Sequence, residues 1–477
     1  MKLPLTLHLS LLALCATSLP LHAADPDQNW PHWRGPKANG TAPSAKPPVT
    51  WSETNNIKWK VKLPGSGTAT PIIWEKQIFI QTAIPTGKKP QALLEKDSLN
   101  PRLAVAGLPQ AEPPPQDRPR RRPPGGGPPG PGGPGGGGGR SEKPSEAYQF
   151  ALVSIDRETG KTQWQKVASE VVPHEGHHRD HGFSSHSPIT DGKLVFAWFG
   201  SRGLHCYDLA GNLKWEKDFG RMQTRNSFGE GSSPALFGNT IVVNWDHEGD
   251  DFIAALDKNT GKELWRVPRD EETTWTTPLI VQHNGKAQVI VTATKKTRSY
   301  DLATGKQVWE CAGMTANVIP SPVTGFGMVY AISGFRGNCL QAIKLSATGD
   351  IAGTDAIAWE HRRTTPYVPS PLLYGERLYF HANNNAILSC LDAKTGQVLF
   401  DAERLEGPSG IYSSPIGADG RIYVVGRNGV SVVLKDSPKL EVLAINRLAE
   451  NIDASPVAVG KELFLRGHES LYCITEK

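Results

Sequence analysis

The chain has 477 residues, of which 21% are charged, and its formal net charge is only +5. That balance excludes a dedicated nucleic-acid binder, which would carry a strongly basic face. Much of the excess sits in one local run, Arg118, Arg120, Arg121 and Arg122. Beyond the leader, no apolar run is long enough to span a membrane, so a transmembrane span is not expected.

Residues 1–23 read as a secretory signal peptide, with Lys2 as the positive start, an apolar stretch at 9–14 and a cleavage site ending at Ala23. Cys15 follows Leu14, and a lipid-attachment cysteine usually follows a small residue, so lipidation is disfavoured. A periplasmic or secreted location is expected. Residues 24–55 form an irregular arm containing Trp30, Trp33, Arg34, Gly35 and Pro36, followed by a proline-rich stretch. Residues 56–63 (NIKWKVKL) read as one isolated outer strand carrying Trp59.

The remainder repeats one sentence, seen most clearly at 183–217. A Ser-Pro or Thr-Pro pair opens it, two apolar runs follow across punctuated turns, and a tryptophan closes it. These four short strands are named a to d. The entry prolines are Pro71, Pro188, Pro234, Pro278, Pro322, Pro371, Pro415 and Pro456. Proline is tolerated at the first residue of a strand. The closing aromatics are Trp59, Trp164, Trp215, Trp265, Trp309, Trp359 and Phe400, and the seventh unit has none. Asp-x-x-Thr-Gly turns, as at Asp156 and Asp257, supply the glycine that a tight c–d turn needs.

From Pro188 onward the entries recur every 41–49 residues, the range of four-stranded propeller blades. The last unit lacks a d strand, and the strand at Trp59 lacks a blade. The economical solution is an all-β, eight-bladed propeller over 56–477, closed when the N-terminal strand completes the last blade. One segment, 85–145, interrupts blade 1 between strands b and c. Its core is almost entirely Pro, Gly and Arg, a composition that cannot bury a core, so disorder is expected there.

The mature cysteines Cys206, Cys311, Cys339, Cys390 and Cys473 are odd in number and scattered over different units. Several share a slot with Ser154, Ala255 and Ser299, which fits small-residue packing better than a disulfide framework.

A blade has two ends. The a–b and c–d turns are short and stereotyped, whereas the d–a and b–c loops are long and varied, so the ligand face is expected on the latter. It receives Arg225, Asn226, Asp246, His247, Glu271, Trp275, Arg336, Arg362, Arg363, Tyr367 and Arg427. A ring of such groups around a channel suits a polar or anionic ligand. The densest cluster is His174, His177, His178 and His181, a metal candidate because neutral imidazole is the commonest metal ligand. His174-Glu175-x-x-His178 also matches a zinc-protease pattern, but that needs a helix, which Pro173 and Gly176 oppose.

The Ser-Pro entry, the Asp-x-x-Thr-Gly turn and the Trp closure resemble the PQQ-like β-propeller repeat. Quinoprotein alcohol dehydrogenases and BamB-like envelope proteins share it. The Trp-x-x-Trp-Arg-Gly-Pro entry at residues 30–36 is similar to that of secreted bacterial PQQ-binding-like propellers. The dehydrogenase resemblance implies a quinone (PQQ) held between a Trp and a disulfide of adjacent cysteines, with calcium on acidic side chains. Trp275 or Trp245 could stack and Asp246 or Glu271 could ligate, but no adjacent cysteines exist in this chain. The leading expectation is therefore a monomeric, non-catalytic propeller that binds an exported protein, a peptide or an envelope polysaccharide. The alternatives are a PQQ- or metal-dependent oxidoreductase and a structural envelope component, because one fold hosts many activities.

Overall fold

Each Ser/Thr-Pro unit builds one sheet around consecutive antiparallel strands, and eight such sheets are present in the described residues. The computed structural model describes residues 25–89 and 143–476. The expected signal peptide and most of the expected insert lie outside them. Blade 2 is representative: Ile189–Thr190, Leu194–Trp198, Leu204–Asp208 and Leu213–Lys217. Inner strands are buried on both faces and read as continuous apolar runs, as in Phe252–Asp257 of blade 3. Outer strands alternate, as in Glu263–Pro268, because only one face meets a neighbouring blade.

The ring closes as expected. Val457–Val459, Glu462–Arg466 and Ser470–Ile474 supply strands a to c of blade 8, and Ile57–Lys62 supplies strand d. Trp59 pairs with Cys473 and Val61 with Leu471, which joins the two ends of the chain and removes an open edge.

Neighbouring blades are locked by one repeated contact. The indole nitrogen of Trp164 donates to Leu209 O (3.1 Å), that of Trp215 to Lys258 O (2.9 Å) and that of Trp265 to Leu302 O (2.8 Å). Each indole lies over the turn glycine of the next blade. A Cβ on Gly261, whose φ is +70°, would come within 2.6 Å of the Trp215 ring. The glycine therefore serves both the turn and the close approach of the indole. The small-residue slot has the same origin: Cys206 pairs across the strands with Trp215, Ser154 with Trp164 and Cys473 with Trp59. All five described cysteines are free and buried.

Blade 4 departs from the pattern. The Trp309 indole nitrogen is buried without a hydrogen-bond partner. The c–d connection of blade 5 is long, and its Gly349–Asp350 segment pairs in parallel with Trp309 and Glu310 as a fifth strand.

The N-terminal arm crosses the axis at the turn end. Trp30 pairs with Ile73 of blade 1, Pro31 O accepts Thr190 N of blade 2, and on blade 7 Gly417 donates to Gly40 O and accepts from Ala42 N. Ala38 packs on the core between blades 4 and 5. Arg34 fixes the crossing: the residue is 1% exposed, and its guanidinium donates to Pro371 O (2.6 Å) and Pro415 O (2.9 Å). Among the described residues no carboxylate pairs with it, and burial lowers its pKa to about 9.

Candidate functional site

The residue before each entry proline is held extended by the ring that follows it. These eight residues are Thr70, Ser187, Ser233, Thr277, Ser321, Ser370, Ser414 and Ser455. The backbone N–H of each donates to the side-chain hydroxyl of the next, at 2.9–3.3 Å. The circle closes with Ser455 donating to Thr70. A hydroxyl that accepts in this way still has its own proton to give. All eight residues line an axial cavity of about 580 Å³. Trp33, from the crossing arm, also lines it.

Above the hydroxyl collar the wall is uneven. Tyr367 stacks on Phe335 (4.6 Å between centroids, 24° between planes), and Arg336 stands 5.3 Å from the Phe335 ring. Arg336 is exposed, and among the described residues no carboxylate pairs with it. Its φ is +55°, an uncommon conformation for a non-glycine residue. Beside it, Asn317 is 6% exposed and its Oδ1 has no hydrogen-bond partner. On the opposite wall Arg427 holds Asp453 (2.7 Å) and Asp180 (3.1 Å) and lies 4.1 Å from the Tyr412 ring centroid. Burial pushes the Asp180 carboxyl up, and Arg427 more than offsets it, so the group ends below the ordinary carboxylate range.

Of the residues expected on the ligand face, Arg225, Asn226, Trp275, Arg336 and Tyr367 line this cavity, and Arg427 contacts residues that do. Arg225 is paired with Glu272. Arg362 and Arg363 are exposed outside the cavity, paired with Glu360 (3.0 Å) and Asp401 (3.6 Å). Asp246, His247 and Glu271 lie in a buried network between blades 3 and 4. Arg269 bonds Asp246 (2.6 Å), both side chains being fully buried, and Arg298 bonds Glu271 (2.6 Å). His247 Nδ1 accepts Gln223 N. Removing one partner from such a pair would strand a buried charge, so these groups brace the loops.

The four imidazoles do not converge. His178 and His181 line the axial cavity, whereas His174 Nε2 donates to Met222 O (2.6 Å) and His177 Nδ1 bonds His178 O (2.8 Å). Nor does the wall suit the quinone sandwich that the dehydrogenase resemblance implies. Trp275 lines the cavity, but the cysteines are single, free and buried within blades. Trp245 is buried against Trp198 and Phe252. Asp246 and Glu271 are already committed to arginines.

Asn317, Phe335, Tyr412, Asp180 and the hydroxyl collar were not singled out from sequence. The collar left a signal, since the residue before every entry proline is Ser or Thr.

Eight four-stranded blades around a hydroxyl-collared cavity, locked by Trp–Gly contacts, define a PQQ-like propeller. A family model described as outer membrane protein assembly factor BamB matches residues 149–401 and 249–477. The two matches together span more than half of the chain, and the chain belongs to that family. Among solved structures it is similar to BamB from Moraxella catarrhalis, at 12% identity and a TM-score of 0.49, over 69% of this chain and 93% of that one. It is also similar to the computationally designed Ika8 protein, at 13% identity and a TM-score of 0.47, over 69% of this chain and 92% of that one. No curated protein matches the chain. Among the described residues, no helix is long and apolar enough to cross a membrane.

Proposed function

We propose that this chain is an exported, non-catalytic propeller that captures an extended segment of another exported protein at the mouth of the axial cavity. The observation that carries the reading is the mixed wall: eight hydroxyl donors, the unpaired Arg336 guanidinium, the unpartnered Asn317 Oδ1 and the Phe335–Tyr367 stack. An extended polypeptide offers donors, acceptors and side chains in alternation, and such a wall answers each of them. Arg336 favours segments that carry a carboxylate. The family's description as an assembly factor for outer membrane proteins supports a protein client over a small substrate.

The test uses dye-labelled, unstructured acidic peptides and the purified chain in an anisotropy titration. Saturable binding is expected. Arg336→Glu should weaken it at least about tenfold, near 1.4 kcal/mol. Arg362→Glu, on the same face but outside the cavity, should change it little. Equal losses from the two variants would overturn the cavity assignment. Saturable PQQ and calcium binding with dye-linked alcohol oxidation would overturn the non-catalytic reading.

A further inference from the structure

A second, much smaller cavity of about 10 Å³, with room for about one water or a bare ion, lies beneath the His-rich loop, lined by Glu175, His186, Arg202 and Glu230 among others. A ring nitrogen of His174 and carboxylate oxygens of Glu175 and Glu230 lie within 4.8 Å of one another. His174 donates its Nε2 proton to Met222 O, which leaves the Nδ1 lone pair facing Arg202 Nη2 at 3.4 Å. A metal-binding imidazole is commonly oriented in this way by a backbone carbonyl.

The independent observation is His186. It is 2% exposed, it lines the same cavity, and neither of its ring nitrogens has a hydrogen-bond partner. A buried imidazole with no partner on either nitrogen is costly unless something occupies the space beside it. Its Nε2 lies within about 5 Å of Glu230 Oε2. A Cβ built on Gly200 would sit 3.2 Å from the first and 1.7 Å from the second. The carboxylates are themselves oriented: Thr224 donates its N–H and hydroxyl to Glu175, and Ser201 N donates to Glu230 Oε2 (2.6 Å).

We propose that His174, Glu175, His186 and Glu230 form a two-histidine, two-carboxylate site for a divalent transition metal of the zinc class. Such ions take imidazole nitrogen and carboxylate oxygen at about 2.0–2.2 Å. The ligand atoms of His174, Glu175 and Glu230 lie within 4.8 Å of one another and close inward on binding, and His186 turns in to complete the set. Arg202 is the standing counter-ion, paired with Glu230 Oε1 at 3.0 Å. On metal entry its Nη2 leaves His174 while Nη1 keeps Glu230. The site joins the loop entering blade 2, which carries His174, Glu175 and His186, to the loop entering blade 3, which carries Glu230. Its role is to fix the two loops that bring His178, His181 and Gly231 to the axial cavity.

The test uses the full chain, stripped with a chelator and titrated with Zn²⁺ by calorimetry, then loaded with Co²⁺ for visible absorption. One equivalent of Zn²⁺ is expected, with a cobalt spectrum of low coordination number and no sulfur-to-cobalt charge transfer. His174→Ala and Glu230→Gln should each weaken Zn²⁺ at least tenfold, and His177→Ala should not. Absence of stoichiometric binding in the unmodified chain overturns the proposal without any variant. So does loss of binding in His177→Ala with retention in the other two.

Discussion

The two ends of the propeller are built on opposite rules. At the turn end the same polar pairing recurs from blade to blade. Asp156, Asp257, Asp301 and Asp392 each accept the hydroxyl and the N–H of the threonine three residues on. At the loop end partners differ from blade to blade, and several groups have none, among them Asn317 Oδ1 and both nitrogens of His186. Repetition at one end sets the ring's geometry. The unmatched groups at the other end, held by that ring, are where a ligand gains most, because their desolvation cost is already borne in the fold.

The contrast breaks most sharply if a turn glycine acquires a side chain. Gly261→Ala forces a β-carbon into the Trp215 ring at a positive φ, with an expected cost of about 2–4 kcal/mol. Gly238→Ala is its control, since φ is +57° there and nothing lies within 4 Å of the added carbon. It should cost only about 1–2 kcal/mol, the backbone share alone. Urea denaturation midpoints of the two variants decide the matter, and equal losses would show that the indole contact carries no weight.

Acid should separate the ends next. Burial lowers the pKa of His381 and of His181 to about 4, and that of His186 to about 3. The unfolded chain takes up these protons near pH 6.5 and the folded chain only near 3–4, so stability is lost as pH falls across that window. At the turn end the Thr159 and Thr395 hydroxyls hold Asp156 and Asp392 below the ordinary carboxylate range. Their contribution persists until the pH drops under about 4. Hydrogen exchange at pH 5 should therefore open the loops around these three histidines before the Asp-x-x-Thr-Gly turns. His381→Leu should remove about 2–3 kcal/mol of the stability difference between pH 7 and pH 4.

The same division explains what could be read from the sequence. The entry prolines, the turn glycines and the closing tryptophans are local signals with fixed spacing, and together they gave blade number, strand order and the N-terminal closure through Trp59. The faces of the blades followed from loop length alone. What stayed hidden depends on which loops meet in space. Asp246 and Glu271 look like free acids until Arg269 and Arg298 are placed beside them. His174 sits in the His-rich loop, and Glu230, which it meets only in space, belongs to the next blade's entry. The crossing arm was equally opaque, because Arg34 finds its carbonyls more than three hundred residues away.

The smallest effect tests the turn end against its own exception. Trp215→Phe keeps most of the ring and deletes the bond to Lys258 O, so a loss of about 1–2 kcal/mol is expected. Trp309→Phe removes an indole N–H that has no acceptor, so relief of that buried donor works against the lost ring volume. Energies alone mix these terms, and nitrogen-15 spectra separate them. The indole protons of Trp164, Trp215, Trp265 and Trp359 should show the shift and slow exchange of bonded donors. The Trp309 proton should show slow exchange from burial without the bonded shift. If it matches the others, blade 5 offers it an acceptor after all, and the Gly349–Asp350 strand is no substitute for the missing turn but an addition to it.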